Sequence, residues 1–130
     1  MKRIFLSLPM SGRTEKEVRC QIEEMKAEFL LHNPFIRGEE IEFVDNYDYV
    51  PLNYEHARDD CKAEALLYLS AAIHDLAFCD GVYFGKGWNS SRGCIVEWQT
   101  CIEYDIPMFI SLRDGSITKI IYPIKEDSND

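Results

Sequence analysis

Apolar residues in this chain come in short runs, and between the runs they recur at helical spacing. Residues 3–8 (RIFLSL) are one such run, closed by Pro9, and they predict a buried parallel strand. After the loop Pro9-Met10-Ser11-Gly12-Arg13 comes Thr14-Glu15-Lys16-Glu17, the S/T-x-x-E pattern of a capping box. Val18, Ile22, Met25 and Phe29 follow at i, i+4, i+7 and i+11, which makes one face of a helix ending near His32 to Pro34. Residues 40–44 (EIEFV) alternate as a second strand does. From Asp45 to Asp60 the chain is polar and aromatic and is broken by Pro51. A long loop over the C-terminal edge of the sheet is expected there, either a lid or substrate wall or a solvated connection.

The spacing predicts a helix over Cys61–Phe78 whose inner face is Leu66, Leu69, Ile73 and Leu76, with His74 and Asp75 on its last turns. A strand over Gly81–Phe84, a helix from Ser91 to about Tyr104 and a strand over Pro107–Ser111 follow. Ile117–Ile124 adds an edge strand, and Lys125–Asp130 reads as a polar, frayed tail. Strands alternating with helices specify an α/β fold: an open parallel sheet of four to five strands with helices on both faces, in a single domain over 1–124.

The strand–loop–helix passage from Asp80 to Glu97 (DGVYFGKGWNSSRGCIVE) carries the candidate chemistry. Ser90 or Ser91 is placed to cap the helix, Gly93 lets the backbone come close, and Arg92 adds a positive charge beside N–H groups that the first turn leaves unpaired. These are the parts of an anion site, or of an ordinary Ser-capped helix. Cys94, Ile95, Trp98, Cys101 and Ile102 form an apolar stripe with Glu97 at its rim. Glu97 there is either a partly desolvated functional carboxylate or an edge glutamate that reaches water. Lys86 between Gly85 and Gly87 lacks the spacing of a Walker A loop. Asp80 is either a hydrogen-bonding residue between loop and strand, the favoured reading, or a ligand group, and Tyr83 and Trp88 either pack or offer a ring face to a ligand.

With 130 residues, 46% of them hydrophobic, the chain has one sizeable core and no room for a second domain. Its net charge of −9 argues against a nucleic-acid polymer or an anionic membrane as partner. Five scattered cysteines (Cys20, Cys61, Cys79, Cys94, Cys101), no C-x-x-C pair, no secretory signal and no membrane-length apolar run point to reduced thiols in the cytoplasm. His32, His56 and His74 lack metal-ligand spacing, so neither a metal nor a cofactor is expected.

IFLSLPMSGR together with CDGVYFGKGWNSSRGCIVEW resembles the nucleoside 2-deoxyribosyltransferase-like superfamily, in a branch common in phages and bacteria. The likeness covers most of the chain, and the joint pattern is far more specific than either piece. It implies a flavodoxin-like or Rossmann-like fold and chemistry at the N-glycosidic bond of a nucleoside or nucleotide. In the transferases a glutamate attacks C1′ of the deoxyribosyl group, and the matching position is Glu97. In the related 2′-deoxynucleoside 5′-phosphate N-hydrolases water is the acceptor, and two loops hold the 5′-phosphate. The implied substrate-binding set is Ser7, Pro9, Met10, Ser11, Gly12 and Arg13 from the first loop region, with Gly87, Trp88, Ser91, Arg92 and Gly93 from the second. A homodimer or larger homo-oligomer is implied as well.

Retaining glycosyl transfer needs one carboxylate as nucleophile and a second acidic group at the leaving base. Active relatives carry an aspartate eight residues before the position of Asp80, and here that residue is Ala72. Phe5 stands where a tyrosine often orients the nucleophile, and Leu8 where a glycine lines the site. Asp75 is the nearby candidate for the second acid, but it lies about 300° around the helix from Ala72 and serves only if the helix end is distorted. Two expectations follow: an N-glycosidic bond hydrolase or deoxyribosyltransferase, or a catalytically inactive nucleotide-binding module of the same fold.

Overall fold

The structure is a computed structural model that describes residues 1–32, 35, 38–47 and 62–120. Its first apolar run becomes β1 (Lys2–Ser7), in which Ile4, Phe5, Leu6 and Ser7 are all buried. Burial on both faces follows from position: β1 is flanked by β2 (Ile41–Val44) and β3 (Gly81–Phe84), and β4 (Met108–Ser111) and β5 (Ile117–Ile120) extend the sheet to the order β2-β1-β3-β4-β5. β1 to β4 run parallel, with Phe5 level with Val44 on one side and Val82 on the other, and Ser7 level with Phe84.

β5 departs from the all-parallel expectation and lies antiparallel to β4. A parallel return needs a crossover of about a dozen residues or more. The chain between the two strands is instead a tight turn, held by Leu112 N–H to Ser116 O (2.7 Å) and Gly115 N–H to Leu112 O (2.9 Å), with Gly115 at φ +91°.

The helix α1 (Glu15–Leu31) starts at the predicted capping box. Glu17 N–H donates to Thr14 Oγ1 (3.1 Å), and Thr14 N–H donates to Glu17 Oε1 (2.9 Å). Its inner residues Val18, Ile22, Met25 and Phe29 pack on Ile4, Leu6, Leu8, Tyr83 and Phe109, which share one face of the sheet. The opposite face, carrying Phe5, Val82, Phe84 and Met108, is covered by α2 (Glu64–Leu76) and α3 (Arg92–Glu103) through Ala72, Leu76 and Cys101. Period-2 alternation along β1 therefore sends Leu6 to α1 and Phe5 and Ser7 to the side of α2 and α3.

α2 is shorter than the predicted Cys61–Phe78 and is rotated. Its buried residues are Ala71, Ala72 and Leu76, while Leu69 and Ile73 are half-buried and Leu66 is 61% exposed. The two alanines take the sheet-facing positions, and Leu66 turns outward. Ala63 caps the helix without a side-chain bond. The expectations for residues 48–61, including most of the long loop and Cys61, and for residues 121–130, including the end of the edge strand and the tail, lie outside the described residues. Among the described residues no helix is long and apolar enough to cross a membrane.

Candidate functional site

Parallel strands release their following loops at one edge, and here the loops after β1 and β3 meet there. Gly85 N–H donates to Ser7 O (2.8 Å). Arg13 donates from Nη1 to Pro9 O (2.7 Å) and to Gln21 Oε1 (2.5 Å), and Gln21 Nε2 donates to Lys86 O (3.1 Å). One glutamine side chain on α1 thus straps the two loops together. Gly85 lies close beneath that strap: a Cβ there would be 2.7 Å from both Gln21 Nε2 and Met25 Sδ, so both side-chain ends would have to shift.

The second loop passes through Gly87, at φ +86°, and a single 3₁₀ turn (Trp88–Ser90) before α3. Ser91 is the N-cap: its Oγ accepts from Cys94 N–H at 3.4 Å, and its extended backbone turns the chain into the helix. The first turn of α3 and the loop after β1 then line the same cleft, with Arg92 exposed at the start of the helix.

Glu97 lies deeper than a rim position. The stripe that α3 buries is Cys94, Glu97 and Cys101, so the carboxylate occupies the middle of the sheet-facing side and is only 7% exposed. Ser7 explains the depth: at the end of β1 its Oγ donates to Glu97 Oε1 at 2.6 Å, giving the buried charge a polar partner on the sheet itself. Burial pushes the Glu97 carboxyl up to about 7, and the Ser7 bond works against that rise. Burial likewise pushes up the neighbouring Cys94 thiol, which Ser7 and Ser91 pull back down by hydrogen bonding.

A cleft of about 1030 Å³ opens above this pair. Ser7, Leu8 and Glu97 belong to its base, Pro9, Met10 and Ser11 to one side, and Ser90, Ser91, Arg92 and Gly93 to the side where α3 begins. Asn46 and Tyr47 after β2, and Glu64, Leu66, Tyr68 and Leu69 on α2, belong to the remaining walls. Of the residues expected from sequence, Ser7, Pro9, Met10, Ser11, Ser91, Arg92, Gly93 and Glu97 are brought together around one space.

Five others are not. Gly12 forms the turn at φ +77°, Arg13 is spent on the strap, and Gly87 shapes the loop at φ +86°, where a Cβ would lie 3.1 Å from Pro9 Cγ. Trp88 stacks on Trp98, with ring centroids 4.1 Å apart and planes 10° from parallel, and both rings lean on Phe84. Asp75 is on the last turn of α2, 3.5 Å from His74 Nδ1 and beside Cys79, whose thiol is pushed up to about 11 by burial first and by Asp75 second. α2 begins at the cleft edge and ends at the opposite edge of the sheet, which carries Asp75 away from Glu97. Ala72, 1% exposed, is in the core under the same helix.

Asp80 is structural, accepting from Arg3 N–H at 2.8 Å, and Tyr83 packs under α1 with its hydroxyl donating to Glu28 Oε1 at 2.9 Å. Asn46 and Tyr47 fall in the Asp45–Asp60 loop expected as a lid or substrate wall, whereas sequence reasoning missed Glu64 and Tyr68. Their signal was positional: the end of a strand and the start of the next helix share the cleft edge of a parallel sheet. Among the described residues no three His, Cys, Asp or Glu side chains are grouped to hold a metal ion. Comparison with family models, with curated proteins and with solved structures found no match for the chain.

Proposed function

We propose that the cleft binds a nucleoside or nucleotide and that Glu97 attacks C1′ of its sugar, breaking the N-glycosidic bond with water or a second base as acceptor. The observation that carries this reading is the buried Ser7–Glu97 pair at the base of an open cleft. A carboxylate that only stabilised the fold would gain nothing from a desolvated place beside a cavity. Held by Ser7 through Oε1, it keeps Oε2 for bond formation, and desolvation strengthens it as a nucleophile once ionised. Ser91, Arg92 and Gly93 at the start of α3 supply the charge and N–H donors for a 5′-phosphate. Membership in the nucleoside 2-deoxyribosyltransferase-like superfamily, a cytoplasmic setting and a homodimer or larger homo-oligomer belong to the same proposal.

A second reading is a nucleotide-binding module that leaves its ligand intact. Ala72 favours it, since the position that carries an acid in active relatives is here a small apolar residue sealed in the core. Incubation with a panel of deoxynucleosides and their monophosphates, followed by chromatography for free base, separates the two. Base release that disappears in Glu97→Gln supports the enzyme. Tight binding with the ligand intact over hours, with and without an acceptor base, supports the module.

A further inference from the structure

Gln21 reaches both loops of the cleft without lining the cleft itself. It is a half-buried residue of α1. Its Oε1 accepts from Arg13 Nη1 at 2.5 Å and its Nε2 donates to Lys86 O at 3.1 Å, so the two ends of one amide are committed to different loops. The first loop is drawn tight onto this contact. Arg13 N–H donates to Met10 O at 3.2 Å, closing the turn that carries Ser11, and Arg13 Nη1 also donates to Pro9 O at 2.7 Å. On the other side Lys86 opens the loop that runs through Trp88–Ser90 to the helix cap Ser91. The bond to Lys86 O is an exposed one, and water satisfies a surface carbonyl equally well. The fold is held elsewhere, by the capping box of α1 and the packing of Val18, Ile22, Met25 and Phe29. What the amide adds is a fixed spacing between the loops.

We propose that Gln21 is a positioning residue for the 5′-phosphate, a role that rests on reading the cleft as a nucleotide site. Ser11 lies on the first loop and Ser91 and Arg92 lie past the second, and all three line the cleft. By holding the loops at one separation, Gln21 lets donors from both sides meet the same phosphate. Loops left free would have to be ordered by the ligand, and the entropy lost in ordering them would be subtracted from its contacts. A nucleoside has no phosphate to span the two sides, so it is insensitive to their spacing. Gln21 thereby sets how strongly the cleft prefers a nucleotide over its nucleoside.

The test is calorimetric titration of the full chain with the common 2′-deoxynucleoside 5′-monophosphates and with the corresponding nucleosides. Gln21→Met keeps the length of the side chain and removes both bonds; it should weaken monophosphate binding about 10-fold and leave nucleoside binding within about 2-fold of wild type. Gln21→Glu keeps the acceptor for Arg13 but cannot donate to Lys86 O, so it should show the same selective loss. It also carries the comparison alone if Gln21→Met does not fold. In a Ser91→Ala, Arg92→Ala background, where one side of the phosphate site is gone, Gln21→Met should add no further loss. Unchanged monophosphate affinity, or equal losses for monophosphate and nucleoside, overturns the inference alone. So does wild-type behaviour of Gln21→Glu, because holding Arg13 would then be enough without a link between the loops. A wild type that binds neither the monophosphates nor the nucleosides overturns the parent reading, and this inference with it.

Discussion

Ser7 Oγ donates a 2.6 Å hydrogen bond to Glu97 Oε1 across 90 positions of sequence, and this contact fixes the end of β1 to the inner side of α3. It joins the strand and the helix that frame the cleft, while the Gln21 strap joins the two loops through Arg13 Nη1 on one side and Lys86 O on the other.

Glu97 should make stability fall as pH rises. Its carboxyl is at about 7 in the fold against an ordinary 4.5, so the protonated form is the one the fold favours. That contribution is fully present below pH about 4.5 and is lost as pH rises through about 7. Glu97→Gln removes the titration and should be more stable than wild type at pH 8 by up to about 3 kcal/mol, with the gap closing towards pH 4.5. Urea unfolding of both proteins at the two pH values measures it, and a pH-independent gap would contradict the buried carboxyl.

The first two segments of the chain show why some of this was readable and some was not. The capping box of Thr14 and Glu17 is local, and its residues and spacing determine it wherever the helix packs. The depth of Glu97 is not local. An α3 wheel with one carboxylate beside an apolar stripe places that carboxylate at the rim unless something on the sheet receives it, and Ser7 is far away in sequence. The rotation of α2 is of the same kind, because Ala71 and Ala72 matter only once the sheet beneath them is known. Asp75 shows the cost of judging by sequence proximity, since the direction of α2 puts its last turn at the wrong edge. The reversal at β5 was legible in principle, because the segment before it is too short for a crossover.

The ascending limb of the pH–rate profile should report the same carboxyl. If the ionised form attacks, kcat/KM for base release rises with pH through about 7. Ser7→Ala takes away the bond that favours ionisation, so its limb should move to higher pH and its rate at pH 7 should fall. An unmoved limb in Ser7→Ala would assign that ionisation to another group.

A 5′-phosphate should depend on the start of α3. The double variant Ser91→Ala, Arg92→Ala should weaken binding of a deoxynucleoside monophosphate by about 2–4 kcal/mol and leave the nucleoside nearly unaffected. Calorimetric titration of both ligands decides it. Equal losses would show that the pair supports the loop and not the ligand.

Gly85→Ala should destabilise the protein by about 1–3 kcal/mol, since the added methyl group enters space held by Gln21 and Met25. Gly115→Ala is a different case: nothing lies within 4 Å of its Cβ, so its cost comes from backbone strain at φ +91° alone. Trimming Gln21 to Ala should therefore recover part of the first loss and none of the second, as read by thermal denaturation.

The stack of Trp88 on Trp98 places every indole of the chain in one optical unit, because the sequence contains only these two. Rings 4.1 Å apart and nearly parallel are close enough for their electronic transitions to couple, so the near-ultraviolet circular dichroism should carry a signature of the pair and not of separate chromophores. One ring belongs to the loop leading to Ser91, and the other follows Glu97 on the helix. Any movement of that loop on α3 changes the coupling and the quenching together, which gives the unlabelled protein a built-in spectroscopic readout of events at the cleft.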